Sequence, residues 1–176
     1  MTRVRQGFGA VRFLTRFRVF FGFIFAAIAL YLATPTPTTL IYGATVSLIG
    51  ELIRLWAAGH LEKSKEVTRS GPYQFTRHPL YLGSSLIGIG FAIAANHIAV
   101  AAMVVVYLLL TLTAAMRSEE AHLRQKFGDA YDAYVQKRSE PMTRRFSWRR
   151  AIYNREHHTI AGLLAALLLL WLKSSR

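Results

Sequence analysis

The sequence predicts an all-α, polytopic membrane protein with about five transmembrane helices, a tight helical hairpin and no Rossmann sheet. Three observations predict it. Long apolar stretches alternate with polar loops. The chain is 53% hydrophobic yet carries a net charge of +13, a combination that suits lipid-embedded segments joined by basic loops rather than a soluble globule. Finally, the lysines and arginines are sorted into alternate loops.

The first apolar stretch, Phe17 to Ala33, ends at Thr34-Pro35-Thr36-Pro37, where two prolines break a helix. It is too long for a signal-peptide core and lacks a small-residue cleavage site, so an uncleaved first membrane helix is expected. The second runs from Thr39 to Ala58. Leu80 to Ala95 and Ile98 to Ala115 are separated only by Asn96 and His97, which reads as a helical hairpin. Ile160 to Leu172 is the last; it and the third are short for a span of roughly 17 to 25 residues. One domain is expected over residues 1–176, its core over about residues 60–141.

Arg3, Arg5, Arg12, Arg16 and Arg18 precede the first helix, and the turn after it is uncharged. Lys63, Lys65, Arg69 and Arg77 follow the second, and the Asn96-His97 turn again lacks Lys and Arg. Ten basic residues, Arg117 to Arg155, follow the fourth. This alternation places the N-terminus and both long loops in the cytoplasm. Lys173 and Arg176 oppose a full crossing by the last stretch. Because the basic residues lie between apolar runs, nucleic acid is not an expected partner; anionic lipid head groups are. Cysteine is absent, which excludes disulfides and thiolate chemistry. The six histidines show no metal-site spacing, so no metal is expected.

Two segments carry the chemistry. The loop from Lys63 to Ser85 has a Gly71-Pro72 turn and ends in Arg77-His78-Pro79 at the mouth of the third helix, where Pro79 fits the first turn. Open N–H groups there, with Arg77 and His78, suit a carboxylate or phosphate; equally, Arg77 could simply anchor the helix at the head groups. The other segment, Arg117 to Arg138, holds Glu119 and Glu120 at the membrane boundary, where paired carboxylates are costly unless partnered. They could bind ligand hydroxyl or ammonium groups, or pair with Arg117 and Arg124. Residues 119–137 should continue the fourth helix, with an interruption near Gly128. Trp56, Trp148 and Trp171 read as an aromatic belt, and Arg144 to Arg155 as an interfacial amphipathic stretch.

Taken in order, Arg77-His78-Pro79-Leu80-Tyr81-Leu82-Gly83, the hairpin, Glu119-Glu120, and Phe127-Gly128 with Tyr131 and Tyr134 resemble the isoprenylcysteine carboxyl methyltransferase and phospholipid methyltransferase superfamily. The resemblance covers residues of about 50–141. It implies a helical membrane methyltransferase holding S-adenosylmethionine at the cytosolic boundary, with a lipid or prenylated acceptor entering from the bilayer. Carried over, the cofactor contacts would be Lys65, Glu66, Val67, Thr68, Tyr73, His78, Pro79, Leu80, Tyr81, Glu119 and Glu120, and the catalytic residues Arg117 and Glu119. Ser139-Glu140-Pro141 stands where carboxyl methyltransferases often carry a Val-Pro pair, which bears on the acceptor more than on the cofactor. The competing readings are an NADPH-dependent sterol-type reductase, whose members are usually longer, and a non-catalytic membrane binding protein.

Overall fold

A computed structural model describes residues 22, 24–140 and 142–175. The five basic residues from Arg3 to Arg18 lie outside this set, as do positions 17–21 and 23 of the first apolar stretch. Among the described residues every regular element is helical. We number them α1 (residues 24–32), α2 (Pro37–His60), α3 (Pro79–Ala95), α4 (Ile98–Phe127), α5 (Asp129–Val135), α6 (Trp148–Tyr153) and α7 (Glu156–Ser174), with a 3-10 turn at Gly71–Gln74. By length and composition α2, α4 and α7 can cross a membrane, and α3 is a shorter apolar helix. The chain is a polytopic all-α membrane protein.

The apolar stretches stop earlier than the helices they mark. Hydropathy ends where charge begins, but backbone hydrogen bonding does not, so α4 runs on through a polar extension to Phe127 and α7 begins at Glu156. Gly128, at φ 47°, breaks the helix between α4 and α5 as expected. At the start of α2, Thr36 and Thr39 form a reciprocal capping box and Pro37 takes the first turn.

α2 and α3 form the most intimate pair. They run antiparallel, and their backbones touch where Gly43 meets Gly90 and Gly50 meets Gly83. A Cβ on Gly43 would lie 2.4 Å from the Gly90 carbonyl, and one on Gly50 would lie 2.6 Å from the Gly83 carbonyl. Both glycine pairs are seven residues apart, two helical turns, so they fall on one stripe of each helix. Ser47, buried between them, donates to the Ile87 carbonyl at 3.4 Å. With lipid tails as apolar as leucine, such close backbone contact is what holds membrane helices together.

Two ends of the bundle differ sharply. At the neutral end, Thr34 N–H donates to the Ala95 carbonyl at 2.8 Å, and the Asn96 amide donates to the Thr34 carbonyl at 3.0 Å. The α1–α2 and α3–α4 turns therefore lie together. Lys173 also reaches this end, donating to the Leu30 and Tyr31 carbonyls at 2.7 and 2.6 Å. A lysine at the C-terminus of α1 neutralises its unpaired carbonyls, so Lys173 ties the end of α7 to the end of α1. Beneath, Ala29, Ala33, Leu40, Ala94, Val100, Val104 and Leu170 form the core.

The basic end is closed by residues 144–154. Ser147 N–H and Arg150 Nε donate to the Gly59 carbonyl at 3.0 and 2.8 Å, and Arg144 donates to that of His60 at 3.2 Å. Asn154 Nδ2 bonds the Ala58 and Leu61 carbonyls at 2.9 and 3.0 Å. These donors, the Ser147 backbone and three side chains, cap the last turn of α2. Within the stretch from Arg144 to Arg155, Arg144 and Arg150 turn inward as caps, while Arg145, Arg149 and Trp148 are exposed. Trp56 lies near this end and Trp171 near the other, all three tryptophans being exposed.

Candidate active site at the basic end

The two chemical segments, some forty residues apart in sequence, meet between the start of α3 and the polar extension of α4. His78 Nε2 lies 2.8 Å from Glu120 Oε1, and Arg77 Nη1 reaches the same oxygen at 3.3 Å. A carboxylate only accepts, so Nε2 carries the proton in this bond. Nδ1 is buried and has no partner. It can accept from a ligand ammonium or hydroxyl, or, in a protonated ring, donate to a carboxylate. The Tyr81 ring lies 5.7 Å from that of His78. Pro79 sits in the first turn of α3 and is fully buried, fixing where His78 enters.

Opposite stands α5. Tyr131 is 1% exposed and its hydroxyl, like His78 Nδ1, is buried without a partner. Tyr134 donates through its hydroxyl to the Tyr73 carbonyl at 2.7 Å, tying α5 to the 3-10 turn. Replacing Tyr134 with Phe should cost about 1 kcal/mol through that lost bond, read as a lower midpoint of thermal unfolding in detergent. Burial pushes the Tyr73 phenol well above the ordinary tyrosine range, and the charge of Glu119 raises it further. Tyr134 is pushed up to about 12, chiefly by burial. Both phenols therefore stay protonated throughout the neutral range and serve as donors.

The residues carried over from the resemblance separate into groups. His78, Pro79, Tyr81 and Glu120 come together; Tyr73 lies within electrostatic reach of Glu119, Tyr81 and Tyr134. Lys65, Glu66 and Val67 instead line a cavity of about 480 Å³ with Phe127, Ala130 and Ala133. The faces of α5 explain this: Tyr131 and Tyr134 point one way, Ala130 and Ala133 the other. Lys65 pairs with Glu62 at 3.2 Å and Glu66 with Arg144 at 2.7 Å. Buried Thr68 accepts from the Glu62 N–H at 3.3 Å. Leu80 offers its carbonyl to Arg54 Nη1 at 3.3 Å. Arg117 is exposed on α4 and Glu119 half-buried.

Sequence reasoning passed over a buried polar cluster beside this site. Arg54 on α2 holds Glu156 on α7 with two bonds of 3.2 and 2.9 Å, and also donates to Ser84 at 2.5 Å and Thr159 at 3.2 Å. Glu51, one turn deeper, is 6% exposed and neither of its oxygens has a partner. Among the described residues no group of three or more His, Asp or Glu comes together as a metal site.

Residues 17–130 match the family described as phospholipid methyltransferase. The chain is also similar to a nickel-cobalt-cadmium resistance protein, NccN, of Alcaligenes xylosoxydans xylosoxydans, 32% identical over 97 residues, covering 54% of this chain and 44% of that protein. A second relative is the cobalt-zinc-cadmium resistance protein CzcN of Cupriavidus metallidurans, 31% identical over 87 residues, covering 48% and 39% of the two chains. The chain thus spans less than half the length of these curated relatives. No solved structure matches it. The family match covers more than half of the chain and takes in the α3 mouth, the hairpin and the carboxylate pair of α4, and on that ground the chain belongs to the phospholipid methyltransferase family.

Proposed function

We propose that this chain transfers a methyl group from S-adenosylmethionine to a lipophilic acceptor, an isoprenylcysteine-type carboxylate or a lipid head group, at the cytoplasmic face of the membrane. The observation that carries the reading is the pair of buried, unpartnered polar atoms, His78 Nδ1 and the Tyr131 hydroxyl, in a site where Glu120 fixes the histidine ring. Unpaired buried polar groups are costly, and a polar nucleotide-like ligand would satisfy both. When bound, the cofactor supplies a methyl group on a sulfonium, already joined to a good leaving group.

The protein's task is then to bind, orient and exclude water. Glu120 orients His78, and the His78 ring engages the polar end of the ligand. The aromatic faces of Tyr73 and Tyr81 suit a sulfonium as they suit an ammonium. Glu119 is free to bind a hydroxyl or amine. These groups would hold the cofactor so that its methyl carbon, the group it would supply, lies in line with the acceptor's lone pair. An acceptor carboxylate needs no base; an acceptor ammonium must first lose a proton. Sidedness follows from the loops: the site lies at the end carrying Lys63 to Arg77 and Arg117 to Arg155, which the positive-inside rule assigns to the cytoplasm.

Calorimetric titration of the detergent-purified chain with S-adenosylhomocysteine, with NADPH alongside, tests the reading. Saturable binding of the former alone is expected. His78→Ala and Glu120→Ala should each weaken it about tenfold, the equivalent of one charge-assisted hydrogen bond, and Glu119→Ala should also weaken it. Glu62→Ala, which removes a carboxylate paired with Lys65 and Arg150, should leave it unchanged. Equal affinity in all four variants would overturn the pocket, and binding of NADPH alone would move the assignment to a reductase.

A further inference from the structure

Arg54, near the basic end of α2, has no role in the function above. Its side chain is 16% exposed and that of its partner Glu156 4%. Five hydrogen bonds hold the guanidinium, matching its five N–H groups. Nε and Nη2 take the two oxygens of Glu156, and Nη2 also donates to the Thr159 hydroxyl. Nη1 donates to the Leu80 carbonyl and the Ser84 hydroxyl. One planar group, rooted on α2, thus joins the first turns of α3 and α7.

The backbone on both sides accommodates this side chain. A Cβ on Gly83 would lie 2.5 Å from Arg54 Cγ and 2.5 Å from the Gly50 carbonyl. Any larger residue would push α3 off α2 where the arginine crosses, which gives the last residue of the stretch Arg77–Gly83 its reason. On the far side, Asn154 is held by the Ala58 and Leu61 carbonyls at the end of α2, and Glu156, two residues on, by Arg54. Arg155 between them adopts the left-handed region, φ 64° and ψ 27°. A non-glycine residue stays there only where its surroundings impose it, and such imposed conformations gather at functional sites. Glu156 and Thr159 lie beyond residues 17–130, the stretch that matches the family.

What Arg54 holds is the mouth of α3. Leu80 stands between Pro79 and Tyr81, two residues after His78. Pinning its carbonyl sets the depth and the rotation at which the first turn of α3 enters the site. Ser84, one turn further, is held by the same nitrogen and donates to the same carbonyl at 2.9 Å. The Glu156 carboxylate also lies within electrostatic reach of the Tyr73 phenol, so the clamp borders a second wall of the site.

We propose that Arg54 is a positioning residue of this site: it locks the first turn of α3 against α7, so that His78 and Tyr81 meet a ligand in one fixed register. It acts through Leu80 and Ser84 rather than by touching the ligand. The start of α7, outside the family match, thereby becomes part of the machinery that shapes the site. That the register serves methyl transfer rests on the function proposed above; the lock itself rests on the geometry.

Two variants of the full chain in a non-ionic detergent test this. Arg54→Met with Glu156→Leu, made in a Glu51→Gln chain, replaces the buried pair by apolar side chains and strands no carboxylate. Such an exchange commonly leaves stability unchanged or raised; Glu51→Gln alone is its reference. Arg54→Lys keeps a charge beside Glu156, but one compact ammonium lacks the fork that spans both helices. Each is read by thermal unfolding, by S-adenosylhomocysteine titration and by the ring-nitrogen NMR signals of His78, assigned with His78→Ala. Both variants should stay folded, bind S-adenosylhomocysteine about tenfold more weakly, and show moved His78 signals as the bond to Glu120 leaves its register. Unmoved His78 signals in both folded variants would overturn the inference, as would unaltered affinity in both, leaving Arg54 a purely structural residue. Failure of both to fold would overturn it equally. His78 signals that move while the unaltered chain binds no S-adenosylhomocysteine would sink the methyltransferase reading and leave the positioning role standing.

Discussion

Arg54→Ala is expected to destabilise the protein by about 3–5 kcal/mol, the cost of breaking a buried ion pair from one side. Arg54 is the only cation facing two buried carboxylates among the described residues. Its removal strands Glu156, 3% exposed, beside Glu51, 6% exposed and already without a partner. It also removes a donor from the Leu80 carbonyl and from the Ser84 hydroxyl, which stay bonded to each other at 2.9 Å. Glu156→Ala should cost markedly less, because Arg54 can turn one helical turn deeper to Glu51 on its own helix. Glu51→Gln should be neutral or stabilising, since an uncompensated carboxylate becomes a neutral amide. Chemical unfolding in mixed micelles would rank the three; Glu156→Ala proving as costly as Arg54→Ala would show that Glu51 cannot take the guanidinium.

Gly90→Val is expected to have the other large effect. A Cβ there would sit 2.2 Å from the Ser47 hydroxyl and 2.5 Å from the Gly43 carbonyl. Part of what it meets is backbone, so rotamer changes cannot relieve the clash and the helices must separate. Overpacking typically costs 1–3 kcal/mol; here the upper end or beyond is expected, because the whole α2–α3 seam depends on this approach. Function should suffer with stability, since α3 carries His78, Pro79 and Tyr81 at its mouth and α2 does not move with it. Gly162→Val on α7, where a Cβ meets nothing within 4 Å, is the control and should leave the fold intact. Thermal unfolding and S-adenosylhomocysteine titration on both variants check this.

The apolar stretches, the Asn96-His97 hairpin, Pro79 in its first turn and the break at Gly128 were all legible in the sequence. Each depends on local chemistry: a missing donor, a left-handed φ, a run of lipid-soluble side chains. The meeting of His78 with Glu120 rather than Glu119 was not legible, because two adjacent residues on a helix point about 100° apart and only packing decides which faces inward. The dual fate of the arginines from Arg144 to Arg155 was hidden for a similar reason: composition marks them as basic, while only tertiary contact shows that two of them cap α2. For the buried cluster a signal was present. Glu51 and Arg54 interrupt the second apolar stretch, and ionisable groups at that depth call for partners; the partner Glu156 lies 102 residues away, beyond any local pattern.

Lys173 bonds carbonyls 142 and 143 residues earlier in the chain, which bears on biogenesis. As the protein leaves the ribosome, α1 emerges long before α7. The end of α1 therefore waits, its carbonyls unsatisfied by this lysine, until α7 has been made and delivers Lys173 beside it. The bond acts as a latch between the two: a nascent chain stalled before α7 holds an unlocked α1, and that exposed end is what membrane quality control would meet.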